Sequence, residues 1–164
     1  MRLSSLISLA CVAFVLLLTG CKDTGAQSLP AQPLTIITQE GTAHEFNAEM
    51  ALTAEQQRIG LMHRKHMKDS RAMLFVFEGS AERNFWMDNT LIPLDLLFIT
   101  QNGIVHHIHE NAKPLDRTRI PSNGPSKAVL EINGGLSKTL GITEGSQIKH
   151  EIFSLSKGLQ KPKL

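Results

Sequence analysis

FWMDNTLIPLDLLFIT, residues Phe85 to Thr100, packs the only Trp of the chain, a turn signal and a dense apolar run into sixteen residues. Asp88-Asn89-Thr90 mark the turn, because short polar side chains bond their own backbone and Asn tolerates the left-handed conformation. Pro93 lacks a backbone donor and belongs at the start or edge of a strand. Leu94 to Thr100 then reads as a strand. Asp95 sits inside this apolar run, so its carboxylate is expected to be partly buried and to need partners. Two are in reach of the argument: Arg64, and the backbone N–H groups of the Asp88–Thr90 turn. Trp86 most simply anchors the core, with its N–H seeking a carbonyl. The other reading makes it the floor of a cleft, where a flat ring stacks on a sugar or another ring.

Outward from this stretch the period of two continues. Leu34–Thr38, Ala43–Met50, Met73–Phe77, Arg83–Met87, Leu94–Thr100, Ile104–His109, Lys127–Ile132 and Gln147–Phe153 all read as short strands. Gly41, Gly79, Asn102-Gly103 and Gly145-Ser146 fall beside them as turns require. Asn102-Gly103 between two apolar runs predicts a hairpin with a two-residue type I′ turn. Thr53, with Gln56 three residues on, marks a capped helix that carries Ile59 and Met62. A second short helix is expected over Leu136–Leu140, closed by Gly141. Eight short strands with few helices predict a mainly β fold, a β-sandwich or a distorted barrel.

The start of the chain carries an address. Met1-Arg2 is positive, and Leu3 to Leu18 is apolar apart from Ser4, Ser5 and Ser8. At 1.5 Å per residue this run reaches roughly 24 Å, short of a ~30 Å hydrocarbon core, so residues 1–20 predict a signal peptide. Leu18-Thr19-Gly20-Cys21 resembles the lipobox of bacterial lipoproteins, with Cys21 as the acylated residue. Lipid on Cys21 then provides the expected membrane partner, anchoring without spanning. Lys22 after the Cys favours the outer membrane in a Gram-negative host, with the domain facing the periplasm. Loss of Cys11 with the signal leaves no thiol for a disulfide, a Cys zinc site or a nucleophile.

Residues 21–33 have the Gly, Ser and Pro content of a flexible linker, with a reach of ~40 Å. Residues 34–153 make one domain of ordinary size, and residues 154–164 read as a frayed basic tail. The chain holds 17 Lys+Arg against 15 Asp+Glu, and loss of Arg2 with the signal would bring the balance to +1. That near-neutrality argues against nucleic acid as a partner.

The blocks Gly60-Leu61-Met62-x-Arg64, Ala72-Met73-Leu74-Phe75, Phe85 to Thr100, Val129-Leu130-Glu131-Ile132 with Gly134, and Gly141-Ile142-x-x-Gly145 occur in that order. In this the chain resembles the bacterial and archaeal family called domain of unknown function 192, or uncharacterised protein family 0127. The resemblance implies a mainly β, jelly-roll-like sandwich. Ala72 stands where the family commonly has Gly, Asp88 where it has Lys, and Ser146 where it has Asp.

These observations favour a non-catalytic binding or accessory module of the cell envelope. Its shallow site is expected around Trp86, Asn89, Asp95 and Arg64, taking a small molecule or a glycan. No cofactor is expected. One alternative is a hydrolase of an envelope polymer with Asp95 as acid or base. Another is a periplasmic Cu or Zn protein using His63, His66, Met62 and Met67, or His106, His107 and His109. No catalytic or metal residue is assigned from the sequence, and exposed imidazoles on a solvated face account for the His.

Overall fold

The computed structural model describes residues 25–154. The expected signal peptide, Cys21 and nearly all of the basic tail lie outside them. The described chain runs β1 (Ala31–Ile37), β2 (Ala43–Ala51), α1 (Ala54–Ile59), β3 (Arg71–Ala81), β4 (Asn84–Phe85), β5 (Leu94–Ile99), β6 (Val105–Ala112), β7 (Ile120–Pro121), β8 (Ser126–Asn133), α2 (Leu136–Thr139), β9 (Gln147–Lys149) and α3 (Glu151–Ser154). Seven strands form one sheet in the order β6-β5-β8-β3-β2-β1-β9, and β4 pairs with β7 apart from it. The sheet curls until its edges meet: Ile104 bridges to Gln147, and Val105 N–H donates to Ser146 O at 2.9 Å. This is the distorted-barrel form of the expected β fold.

Curling gives the sheet two buried faces. Ala128, Leu130 and Ile132 of β8 point inward with Leu34, Ile36, Leu74 and Leu97. Val129 points outward with Met73, Phe75, Leu96 and Phe98, beneath a cover of loops. Strand β5 is buried along all six residues, which is why its sequence reads as a continuous apolar run rather than an alternating one. Burying a side chain such as Phe98 contributes roughly 1.5–3 kcal/mol.

One pairing shapes the outer face of the sheet. Strands β2 and β3 are parallel, and a parallel pair cannot be joined by a tight hairpin. Residues 52–70 therefore cross over, carrying α1 across the outer face of the sheet. The capping box starts α1 as expected: Gln56 N–H donates to Thr53 Oγ1 at 3.2 Å, and Thr53 N–H donates to Gln56 Oε1 at 2.9 Å. Gly60 ends it at φ 50°, where an added Cβ would lie 3.2 Å from the ring of Phe75. The bare backbone thus lies close over an aromatic side chain.

Four expectations change. The β5–β6 hairpin exists, but only Gly103 of its Asn-Gly pair has positive φ, at 79°. Gly103 N–H donates to Thr100 O at 3.0 Å, so the loop is a three-residue one ending in a left-handed Gly, not a type I′ turn. The run Gln147–Phe153 is not one strand: β9 stops at Lys149, and α3 turns Phe153 back into the inner core. The strand expected over Arg83–Met87 narrows to Asn84–Phe85. Finally, part of the expected linker is fold. β1 begins at Ala31, Gln27 Nε2 donates to Gln56 O at 2.7 Å and to Gly60 O at 2.9 Å, and Leu29 N–H donates to Glu49 Oε2 at 2.8 Å.

Candidate functional site

The crossover leaves a cleft of about 420 Å³ between itself and the segment ahead of β4. Ile59, Gly60, Leu61 and Met62 form one wall, and Glu82, Arg83, Asn84 and Trp86 form the other. Phe75, Phe77 and Phe85 line its depth, with Glu131 among them. The aromatic rings are mutually braced. Phe75 meets Phe85 edge-on at 5.2 Å and 86°, and Phe85 meets Phe98 at 6.0 Å and 80°, the geometry the ring quadrupole prefers. The Arg83 guanidinium lies 4.0 Å over the Phe77 ring and donates from Nη2 to Gly79 O at 2.6 Å. Its Nε is the buried side-chain nitrogen left without a partner among the described residues.

Trp86 is 49% exposed at this cleft. It is not the core anchor that its size suggested. Phe85 and Met87 turn inward on either side of it, so the extended chain turns Trp86 outward.

The other expected site residues go elsewhere. Asn89 occupies the left-handed turn at φ 53°, and its carbonyl accepts from His63 N–H at 2.8 Å, pinning the crossover to the turn. Asp95 is fully buried and follows the alternation of Leu97 and Ile99, on the face opposite the cleft. Its Oδ1 accepts from Asn111 N–H at 2.7 Å and Gly135 N–H at 2.8 Å. Its Oδ2 accepts from Ser137 N–H at 2.9 Å and Ser137 Oγ at 2.6 Å. Neither Arg64 nor the Asp88–Thr90 turn supplies a bond to it. With four donors on a sealed carboxylate, Asp95 fastens α2 to the sheet and has no path to a substrate. The hydrolase reading built on Asp95 loses its acid.

Arg64 belongs to Glu49. Its Nη1 and Nη2 each donate to that carboxylate at 2.7 Å, and Nη2 also donates to Gln27 O at 2.5 Å. Arg71 adds a contact at 3.3 Å. Burial pushes the Glu49 carboxyl up, but the bonds from Arg64, Leu29 N–H and Arg71 outweigh it and hold the group below the usual carboxylate range. Asp88, the residue in place of the family's usual Lys, pairs with Arg117 at 2.9 Å on an exposed surface, where such a pair stabilises little.

Glu131 is the residue the sequence reading passed over. It is 5% exposed, directly beside Met73 on β3 and Leu96 on β5, and it lines the cleft. Burial pushes its carboxyl up to about 8, a rise that the charge of Arg64 partly offsets. The signal was in plain sight: a carboxylate in the apolar strand Ala128-Val129-Leu130-Glu131-Ile132 poses the same question as Asp95 in its own run.

The histidines stay dispersed. Among the described residues, no three His, Cys, Asp or Glu side chains gather in metal-holding geometry. His107 stacks on Phe98 at 5.6 Å and contacts Glu144 at 3.2 Å, while His106 bonds Ser126 Oγ at 2.9 Å.

A curled sheet with this crossover and cleft can now be set beside known proteins. The family model DUF192, described as "Uncharacterized ACR", matches residues 35–150. The chain belongs to the DUF192 family. Two solved structures share its fold. One, a proposed transcription regulator from Sinorhizobium meliloti 1021, is 37% identical with a TM-score of 0.75, over 78% of this chain and 99% of the other. The second, a protein of unknown function from Novosphingobium aromaticivorans DSM 12444, is 41% identical with a TM-score of 0.72, over 74% of this chain and 86% of the other. Comparison with curated proteins finds no match. Membership accounts for the block order, because the Gly60 block builds the crossover and the Glu131 block the cleft floor.

Proposed function

We propose that this DUF192 member is a lipid-anchored binding module of the cell envelope, with its ligand seat in the cleft at Trp86. The observation that carries this reading is a half-exposed indole at the mouth of a braced aromatic cleft. A flat indole at the rim of an aromatic-lined concavity offers a stacking surface, and such concavities are where small ligands bind. The cleft lining contains no Ser, His or Cys, and its one hydroxyl, Thr90 Oγ1, is turned to Asp88 O, so no hydroxyl or thiol is paired with a base there. These groups favour binding.

The envelope address comes from the sequence, through the signal-like residues 1–20 and the lipobox at Cys21. The regulator description of the Sinorhizobium relative is not carried over, since a formal charge of +2 provides no strong basic patch for nucleic acid. Two measurements test the proposal. Titration with envelope glycan fragments and metabolites should shift the fluorescence of Trp86, the single Trp, and silence across the panel would sink the binding role. Labelled palmitate should enter the wild-type chain and not Cys21→Ser, and a Cys21→Ser chain still acylated would remove the anchor.

A further inference from the structure

The cleft contains one buried carboxyl that the fold leaves without a partner, and its surroundings name the ligand. This inference rests on the cleft being the ligand seat. The Glu131 carboxyl is raised by burial with no hydrogen bond among the causes of its shift, and it stands between Met73 and Leu96. Most neighbouring polar groups are committed, apart from the Arg83 Nε and the exposed Glu82 and Asn84 at the rim. Gln57 Nε2 donates to Ala51 O and Val76 O, Thr90 Oγ1 to Asp88 O, Arg58 to Glu55, and Arg83 to Gly79 O. A buried polar group left unpaired is unfavourable, and a ligand that supplies its partner relieves that.

Charge decides among ligands. At the mouth Arg58 is paired with Glu55, and Arg83 is matched by Glu82, so the rim favours neither a cation nor an anion. An anion meets at the floor a carboxyl, while the Arg64 charge behind it is already engaged by Glu49. A neutral carboxyl both donates and accepts, which matches a hydroxyl. We propose that Glu131 is the selector of this cleft and that its ligand is an uncharged, hydroxyl-bearing ring, a pyranose of a neutral glycan. The ring face lies on Trp86, and one hydroxyl exchanges two hydrogen bonds with the Glu131 carboxyl. The charged groups around Glu131 are Arg64 from the crossover, Glu49 on β2, Arg71 on β3, Arg58 on α1, Glu82 and Arg83 ahead of β4, and His109 across Leu96.

Trp86 fluorescence of the full chain provides the test, with cellobiose and N,N′-diacetylchitobiose as neutral probes, glucosamine as the cation and glucuronate as the anion. A neutral disaccharide should bind, and its affinity should fall by up to about tenfold per pH unit above pH ~8, where Glu131 loses its proton. Glu131→Gln keeps a donor and an acceptor, so it should bind and lose that pH dependence. Glu131→Ala should bind at least about tenfold more weakly, a loss of ~1.4 kcal/mol. Circular dichroism melts confirm that both variants fold. The inference is overturned by a pH-independent affinity in the wild-type chain, by Glu131→Ala binding as well as wild type, or by silence to both neutral sugars. In that last case a response to glucosamine or glucuronate retains the cleft as a seat, whereas silence to all the probes removes both readings.

Discussion

Glu49 and Glu131 stand in one row across the sheet, on either side of Met73, and are buried almost equally, 3% and 5% exposed. At two strand spacings they are about 10 Å apart. The fold gives Glu49 a bidentate Arg64, Arg71 and a backbone N–H, and it gives Glu131 aromatic rings and an open cleft. The lesson is that burial alone does not mark a functional carboxylate. Burial with partners marks a structural one; burial without partners, beside a cavity, marks one kept for something else.

Their responses to pH have opposite signs. Glu49 is held below its ordinary 4.5, so its stabilisation is present above that value and is lost as pH falls through the lower folded value. Glu131 is raised from 4.5 to about 8, so the folded state keeps a proton the unfolded chain gives up. Stability on its account is full below 4.5 and declines as pH rises from there toward 8.

Breaking the pair should be the most destabilising change. Glu49→Ala leaves Arg64 charged and largely out of water, which should cost about 3 kcal/mol in urea unfolding at neutral pH. A loss under ~1 kcal/mol would mean that Arg64 simply turns to water. Asp95→Asn, the third buried carboxylate, turns an amide donor toward a nest of N–H groups and should cost about 2–3 kcal/mol. Trp86 emission should not change, and a changed emission with intact stability would reopen a role for Asp95 in the cleft. Glu131→Gln should do the reverse, stabilising by about 3 kcal/mol at pH 7 and by little near pH 4.5. Equal Tm shifts at the two pH values would refute the raised carboxyl. Trp86→Ala should be the mildest, within about 1 kcal/mol of wild type by circular dichroism, because half of the indole already faces water. A larger loss would restore the ring to the core.

Local patterns carried most of the fold. Alternation located the main strands, and Thr53 with Gln56 located α1, because each depends on neighbours in sequence. The β4–β7 pair was missed in part because two residues carry no period, and Ile120-Pro121 includes a residue that cannot donate. The parallel β2–β3 pairing has no local signal either; it follows from how the whole sheet closes. The site was half legible. Trp86 was named, yet alternation with Phe85 and Met87 already argued that it faces out. Asp95 and Glu131 look alike in sequence, and only the placement of Gly135 and Ser137 against one of them separates a fastened carboxylate from a free one.

Gln27 reaches both Gln56 and Gly60 on the crossover, and its own carbonyl is gripped by Arg64. The chain therefore enters the domain at the rim of the cleft. Tension applied along the polypeptide ahead of this point does not load the sheet first. It is borne by three side-chain bonds on the crossover and then by the Glu49–Arg64 pair, so a mechanical pull on the N-terminal side would distort the ligand seat before any strand separates.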